Sequence, residues 1–105
     1  MLSAKEEWKK RKKRYLKHLR TADSDVLLVS LADKLHNARA ILLDYRTLGD
    51  PFWDRFRSGA GPAVRWYYRE LSAAFEARRA DLGPAAEPAL DEFARTVETI
   101  EQLSG

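Results

Sequence analysis

Four residues within one stretch, Asp33, His36, Asn37 and Asp44, have side chains that can ligate a metal, orient a nucleotide or move a proton. They lie in the longest apolar-rich run of the chain, 26–45, VLLVSLADKLHNARAILLDY. A carboxylate inside an apolar helix is costly to bury unless it is paired or binds a cation. Asp33 therefore reads either as a salt-bridged residue, to Lys34, Arg39 or the basic N-terminal segment, or as a metal ligand. His36 follows three residues on, so the two can share a helical face. Asn37, one turn beyond Asp33, can orient a water or a nucleotide, or fix a helix contact through a side-chain hydrogen bond. An Asp-x-x-His pair alone is a weak metal signal, because a site takes three or four ligands. The only other histidine, His18, falls on a different predicted helix. No Gly-rich phosphate loop, Ser/His/Asp set of defensible spacing or close carboxylate pair accompanies them.

The elements that must position these residues all read as helices. Residues 4–20 are good helix formers without Gly or Pro, with Trp8, Tyr15, Leu16 and Leu19 forming one narrow apolar stripe. Residues 21–25 form a turn in which Asp23 or Ser24 can cap the next helix. There Leu27, Leu31, Leu35, Ala38, Leu42 and Tyr45 recur at spacings of four and three. Leu28, Val29, Ala32 and Ile41 widen that face, which predicts burial on more than one side. Gly49 ends the helix, and Asp50-Pro51 opens a short aromatic one with Phe52, Trp53 and Phe56. A loop is expected over 58–62. A further helix is expected over about 63–80, with Val64, Tyr67, Tyr68, Leu71 and Phe75, broken by Gly83-Pro84. The last runs over about 88–103 and aligns Leu90, Phe93, Val97, Ile100 and Leu103. No alternating run or hairpin turn signals a strand. The expectation is one all-α domain of about five helices, spanning 1–105.

Bulk properties narrow the function classes. A chain of 105 residues with 45% hydrophobic content can form one modest core. It has no cysteine, which excludes disulfides and thiolate-bound zinc. No run reaches the length of a membrane span, and no signal-peptide core follows the basic start, so a cytoplasmic location is expected. The net charge of +3 is uneven: residues 1–20 carry nine Lys or Arg against two Glu, while the rest carries ten against fourteen acids. An anionic partner should meet the first helix. That helix has little aromatic interleaving and no nucleic-acid motif, which disfavours nucleic acid as the partner.

The stretch Leu31-Ala32-Asp33-Lys34-Leu35-His36-Asn37, followed by Ala38-Arg39, resembles the LADKLHN-type signature of HD-domain metal-dependent phosphohydrolases. The branch is that of the RelA/SpoT-type guanosine polyphosphate (ppGpp) pyrophosphohydrolases and their small stand-alone relatives. Upstream, Trp8, Arg11-Lys12 and Tyr15-Leu16 resemble the lead-in helix. Downstream, Asp44-Tyr45-Arg46, Gly49-Asp50, Trp53, Arg55-Phe56 and Trp66-Tyr67-Tyr68 follow in the family's order. The resemblance spans about residues 8–75. It implies an all-α fold and metal-assisted removal of pyrophosphate from a guanosine nucleotide, usually with manganese. It assigns Asp33 as the last metal ligand and Asn37 as a nucleotide contact. Tyr67 becomes a pocket residue, with Tyr68 as the alternative, and Arg11 and Lys12 become phosphate contacts.

The chain departs from that pattern upstream of the signature. The family's first His, its His-Asp doublet and the acidic pair that assists the attacking water have no counterpart, and His18 falls in the wrong place for either histidine. Those residues would belong before Met1. The expectation is a C-terminal HD-type half, inactive alone, with a complementing chain, a homo-oligomer or an interaction and oligomerisation role as the alternatives.

Overall fold

The computed structural model describes residues 3–55 and 61–102. Five α-helices and no strand occur among them: α1 Ala4–Leu19, α2 Ser24–Leu48, α3 Gly61–Ala77, α4 Arg79–Leu82 and α5 Glu87–Gln102. Short 3-10 turns cover Asp50–Arg55 and Pro84–Ala86. The all-α expectation holds.

Helix α1 starts at a reciprocal cap. The Glu6 amide donates to Ser3 Oγ at 3.2 Å, and the Ser3 amide donates to the Glu6 carboxylate at 3.4 Å. Helix α2 follows Asp23 and stops at Gly49, whose φ of 73° lies in the left-handed region that favours glycine. Its inward stripe, Leu27, Leu31, Leu35, Ala38 and Ile41, is buried. The stripe packs chiefly on α5, whose Leu90, Phe93, Val97 and Ile100 face it and α3. Phe75 of α3 meets Phe93 of α5 edge-on at 5.6 Å, and both are almost wholly buried. Helix α1 joins mainly through α3, with Leu19 fully buried and Trp8, Tyr15 and Leu16 packed on the core.

Three expectations are corrected. Helix α2 is buried on one side only: Leu28, Val29 and Ala32 are exposed, Val29 to 70%, and only Ile41 of the predicted widening set is buried. Helices α3 and α5 cover a single stripe, and nothing among the described residues covers the outer face. Second, the helix expected over 63–80 begins at Gly61 and stops at Ala77. Arg78 leaves helical geometry, with φ −110° and ψ 19°, and its Nη1 donates to the Leu19 and Arg20 carbonyls at the end of α1. A tertiary contact thus overrides good local helix formers. Third, the aromatic segment after Gly49 is a 3-10 turn, and the fifth α-helix is the four-residue α4. Phe56, most of the predicted loop and Leu103 lie outside the described residues, although Gly61 and Pro62 of that loop open α3.

Candidate functional site

The site is built where α1, α2 and α3 meet. Helical spacing puts Trp8, Lys12 and Tyr15 on one side of α1. Tyr67 and Tyr68 belong to the buried stripe of α3, and Lys34 reaches across from α2. Lys12 Nζ lies 4.7 Å from the Tyr67 ring centre and 5.7 Å from that of Trp8, while Lys34 Nζ lies 5.0 Å from that of Tyr15. These are cation–π distances. Trp8 and Tyr67 contact edge-to-face at 6.1 Å, and Tyr67 and Tyr68 at 5.6 Å. The result is two ammonium groups set among four aromatic rings.

The electrostatics follow from partial burial. Desolvation, then repulsion from Lys34 and Arg11, holds the Lys12 ammonium below its ordinary pKa. Burial raises the Tyr67 phenol well above its ordinary value, with smaller contributions from Tyr15, Tyr68 and Asp33. Tyr68 is pushed up to about 12 by burial and then by Asp33. Tyr67 is only 5% exposed, and neither phenol makes a hydrogen bond to a described residue. A buried hydroxyl left unpaired costs about 1–3 kcal/mol, so a ligand that accepts from it would gain that much back.

The predicted residues distribute unevenly. Lys12 and Tyr67 are in direct contact, and Asp33 is close enough for its charge to act on both phenols. Asn37 is half-buried one turn further along α2. Arg11 points elsewhere: it lies with Glu7, Lys10 and Arg14 on a shallow outer surface of α1, and only its charge reaches Lys12. Asp33 is not the buried carboxylate expected of an apolar helix. Its side chain is 60% exposed and accepts from Lys34 Nζ at 3.3 Å, the first of the salt bridges anticipated. His36 is exposed. Among the described residues, no group of three or more His, Asp or Glu side chains could hold a metal ion. One solvated carboxylate does not fit manganese, so no catalytic step can be derived through a metal here.

Lys34 is the participant that spacing did not single out. It sits beside Asp33 in the signature stretch, but its reach to Tyr15 depends on how α2 crosses α1. No helix among the described residues is long and apolar enough to cross a membrane. No family model, no curated protein and no solved structure matches the chain.

Proposed function

We propose that the chain is a guanosine-polyphosphate-binding wall of HD type, without hydrolysis of its own. The observation that supports this reading is the convergence of Lys12, Lys34 and the buried Tyr67, whose hydroxyl makes no hydrogen bond to a described residue. Two neighbouring cations suit adjacent phosphates, and the half-buried rings of Trp8 and Tyr15 suit a planar base. Asp33 would serve as a metal ligand only when a complementing polypeptide supplies the histidines and the His-Asp doublet. Manganese and hydrolysis both belong to that assembled site.

The test is to titrate the isotope-labelled chain with guanosine tetraphosphate. Amide shifts are expected at Lys12, Lys34, Asn37 and Tyr67, with affinity at least tenfold weaker in Lys12→Glu, and with no product formed with or without manganese. Absence of shifts at millimolar nucleotide would refute the reading. So would hydrolysis by the chain alone that Asp33→Ala abolishes.

A second reading, a helical interaction or oligomerisation module, is favoured by the outer face of α2. Val29 and Leu43, 70% and 64% exposed, lie there with Ala32, His36 and Ala40, and Leu28 flanks them. Light scattering separates the two readings: a monomer that stays monodisperse at high concentration counts against the module.

A further inference from the structure

We propose that the cleft between α1 and α3 binds a small amphiphilic dianion, an aryl phosphate monoester in chemical terms, with its ring on the alanine floor and its phosphate on the α1 cations. The cleft has a volume of about 530 Å³, within the range of small-molecule sites. Leu16 and Trp66 with Ala73, Ala74 and Ala77 supply the apolar surface, and Lys13, Lys17 and Arg20 supply the charge.

The charge balance identifies the occupant. Lys13, Lys17 and Arg20 recur at four and three residues, so they line one side of α1 over about 10 Å. None of the three makes an ion pair with a described residue. Glu70 is the single carboxylate among the described lining residues, and it too makes no ion pair with a described residue. Three cations against one anion leave a local excess that a dianion neutralises.

Arg78 removes an obstacle to such a ligand. The C-terminus of a helix ordinarily presents unpaired carbonyls and partial negative charge, which repels anions. Here Arg78 Nη1 donates to the Leu19 and Arg20 carbonyls at 2.9 and 3.1 Å, and its Nε donates to Asp81 at 2.6 Å. The carbonyl end of α1 is thus covered by a cation, and Lys17 and Arg20 beside it remain available. Trp66 is held at the opposite end of the cleft, with Lys9 Nζ 5.0 Å from its ring centre.

The experiment uses 1-naphthyl phosphate as probe on the full chain, read by amide shifts and tryptophan fluorescence. Binding is expected with shifts centred on residues 13–20 and 70–78 and on Trp66. Lys13→Glu combined with Lys17→Glu, on exposed positions that leave the core intact, should weaken it at least tenfold. Ala74→Phe, which fills the floor, should abolish it while circular dichroism stays unchanged. Lys10→Glu, on the outer surface of α1, should change affinity less than twofold. Inorganic phosphate and neutral 1-naphthol serve as separate arms, and each should bind at least tenfold more weakly than the ester. The proposal is overturned if phosphate alone binds equally well, if the double variant binds normally, or if the shifts spread over Lys10, Arg11 and Arg14. Shifts centred on Lys12 and Tyr67 instead would overturn it as well, while leaving the nucleotide reading standing.

Discussion

Charge is handled in opposite ways on the two flanks of α3, the one toward α5 and the one toward α1. On the α5 flank Arg79 donates to Glu76 at 2.7 Å, to Asp91 at 2.9 Å and to Glu87 at 3.4 Å, tying α3, α4 and α5 together. Arg39 pairs with Glu92 and Arg69 with Glu101 along the same flank, joining α2 and α3 to α5. Against α1 the pattern reverses. Lys12 is partly desolvated beside Lys34, and Lys13, Lys17 and Arg20 have no acidic partner among the described residues. Where charge serves the fold, this chain pairs it. Where charge has no acidic partner among the described residues and is held near aromatic or apolar surface, it coincides with the two anion sites proposed above.

The largest expected effect comes from the core that carries the paired flank. Phe75→Ala empties a fully buried site against Phe93, and such truncations cost about 3–5 kcal/mol. That is a large share of the roughly 5–15 kcal/mol available to a domain. Chemical denaturation should show a transition shifted to much lower denaturant. If the loss is under about 1 kcal/mol, α3 and α5 do not pack as described.

Titration of the aromatic side gives the next effect. Tyr68 has its pKa pushed up to about 12, and that of Tyr67 is raised further by burial. A phenol with a raised folded pKa contributes stability that is complete below its unfolded value near 10 and is lost as pH rises toward the folded value. For Tyr68 alone this is on the order of 2–3 kcal/mol, at about 1.4 kcal/mol per pKa unit. Stability should therefore fall steeply between pH 10 and 12, and Tyr68→Phe should flatten that fall. The paired flank behaves oppositely. Hydrogen bonding from Arg79 lowers the Glu76 pKa, so its contribution is present above about 4.5 and is lost as pH falls below that. An acid limb unchanged by Glu76→Gln would show that the ion-pair knot contributes nothing measurable.

How much of this was legible in the sequence depended on the range of the interaction involved. The buried stripe of α2, the α5 face and the glycine stop at Gly49 follow from local period and backbone sterics, and the structure has them. The reciprocal cap at Ser3 and Glu6 was equally readable from its spacing. Periodicity could not say how many sides of α2 would be covered, because Val29 and Leu27 look alike until their neighbours are placed. Nor could it foresee that α3 stops at Ala77, since the contact that stops it links Arg78 to carbonyls 58 and 59 residues away. Tyr67 fits the core pattern as well as the resemblance, and the structure shows the core character, a buried ring, with a hydroxyl that makes no hydrogen bond to a described residue. The Lys34 partner of Asp33 was legible in the sequence, but its exposure was not, because an apolar sequence context does not fix an apolar environment and one side of that helix faces solvent.

The smallest effect is also a test of sign. Two ring faces attract Lys12, while burial, Lys34 and Arg11 disfavour its charge and hold its pKa down, and removing that charge tests which side wins. Lys12→Met keeps the packed stem and removes the charge, so it should stabilise the fold, by less than about 1 kcal/mol. Arg79→Met deletes a cation with three carboxylate partners and should lower the melting temperature. The pH dependence separates these effects from simple packing. A lysine with a lowered folded pKa adds stability as pH rises through that value toward 10.5, and Lys12→Met should erase this rise while leaving the tyrosine-driven fall above pH 10 in place. Replacing a cation by methionine would then raise stability on the α1 flank of α3 and reduce it on the α5 flank. Two destabilisations of equal sign would mean that the Lys12 ammonium is held by the fold, and that no ligand is needed to account for it.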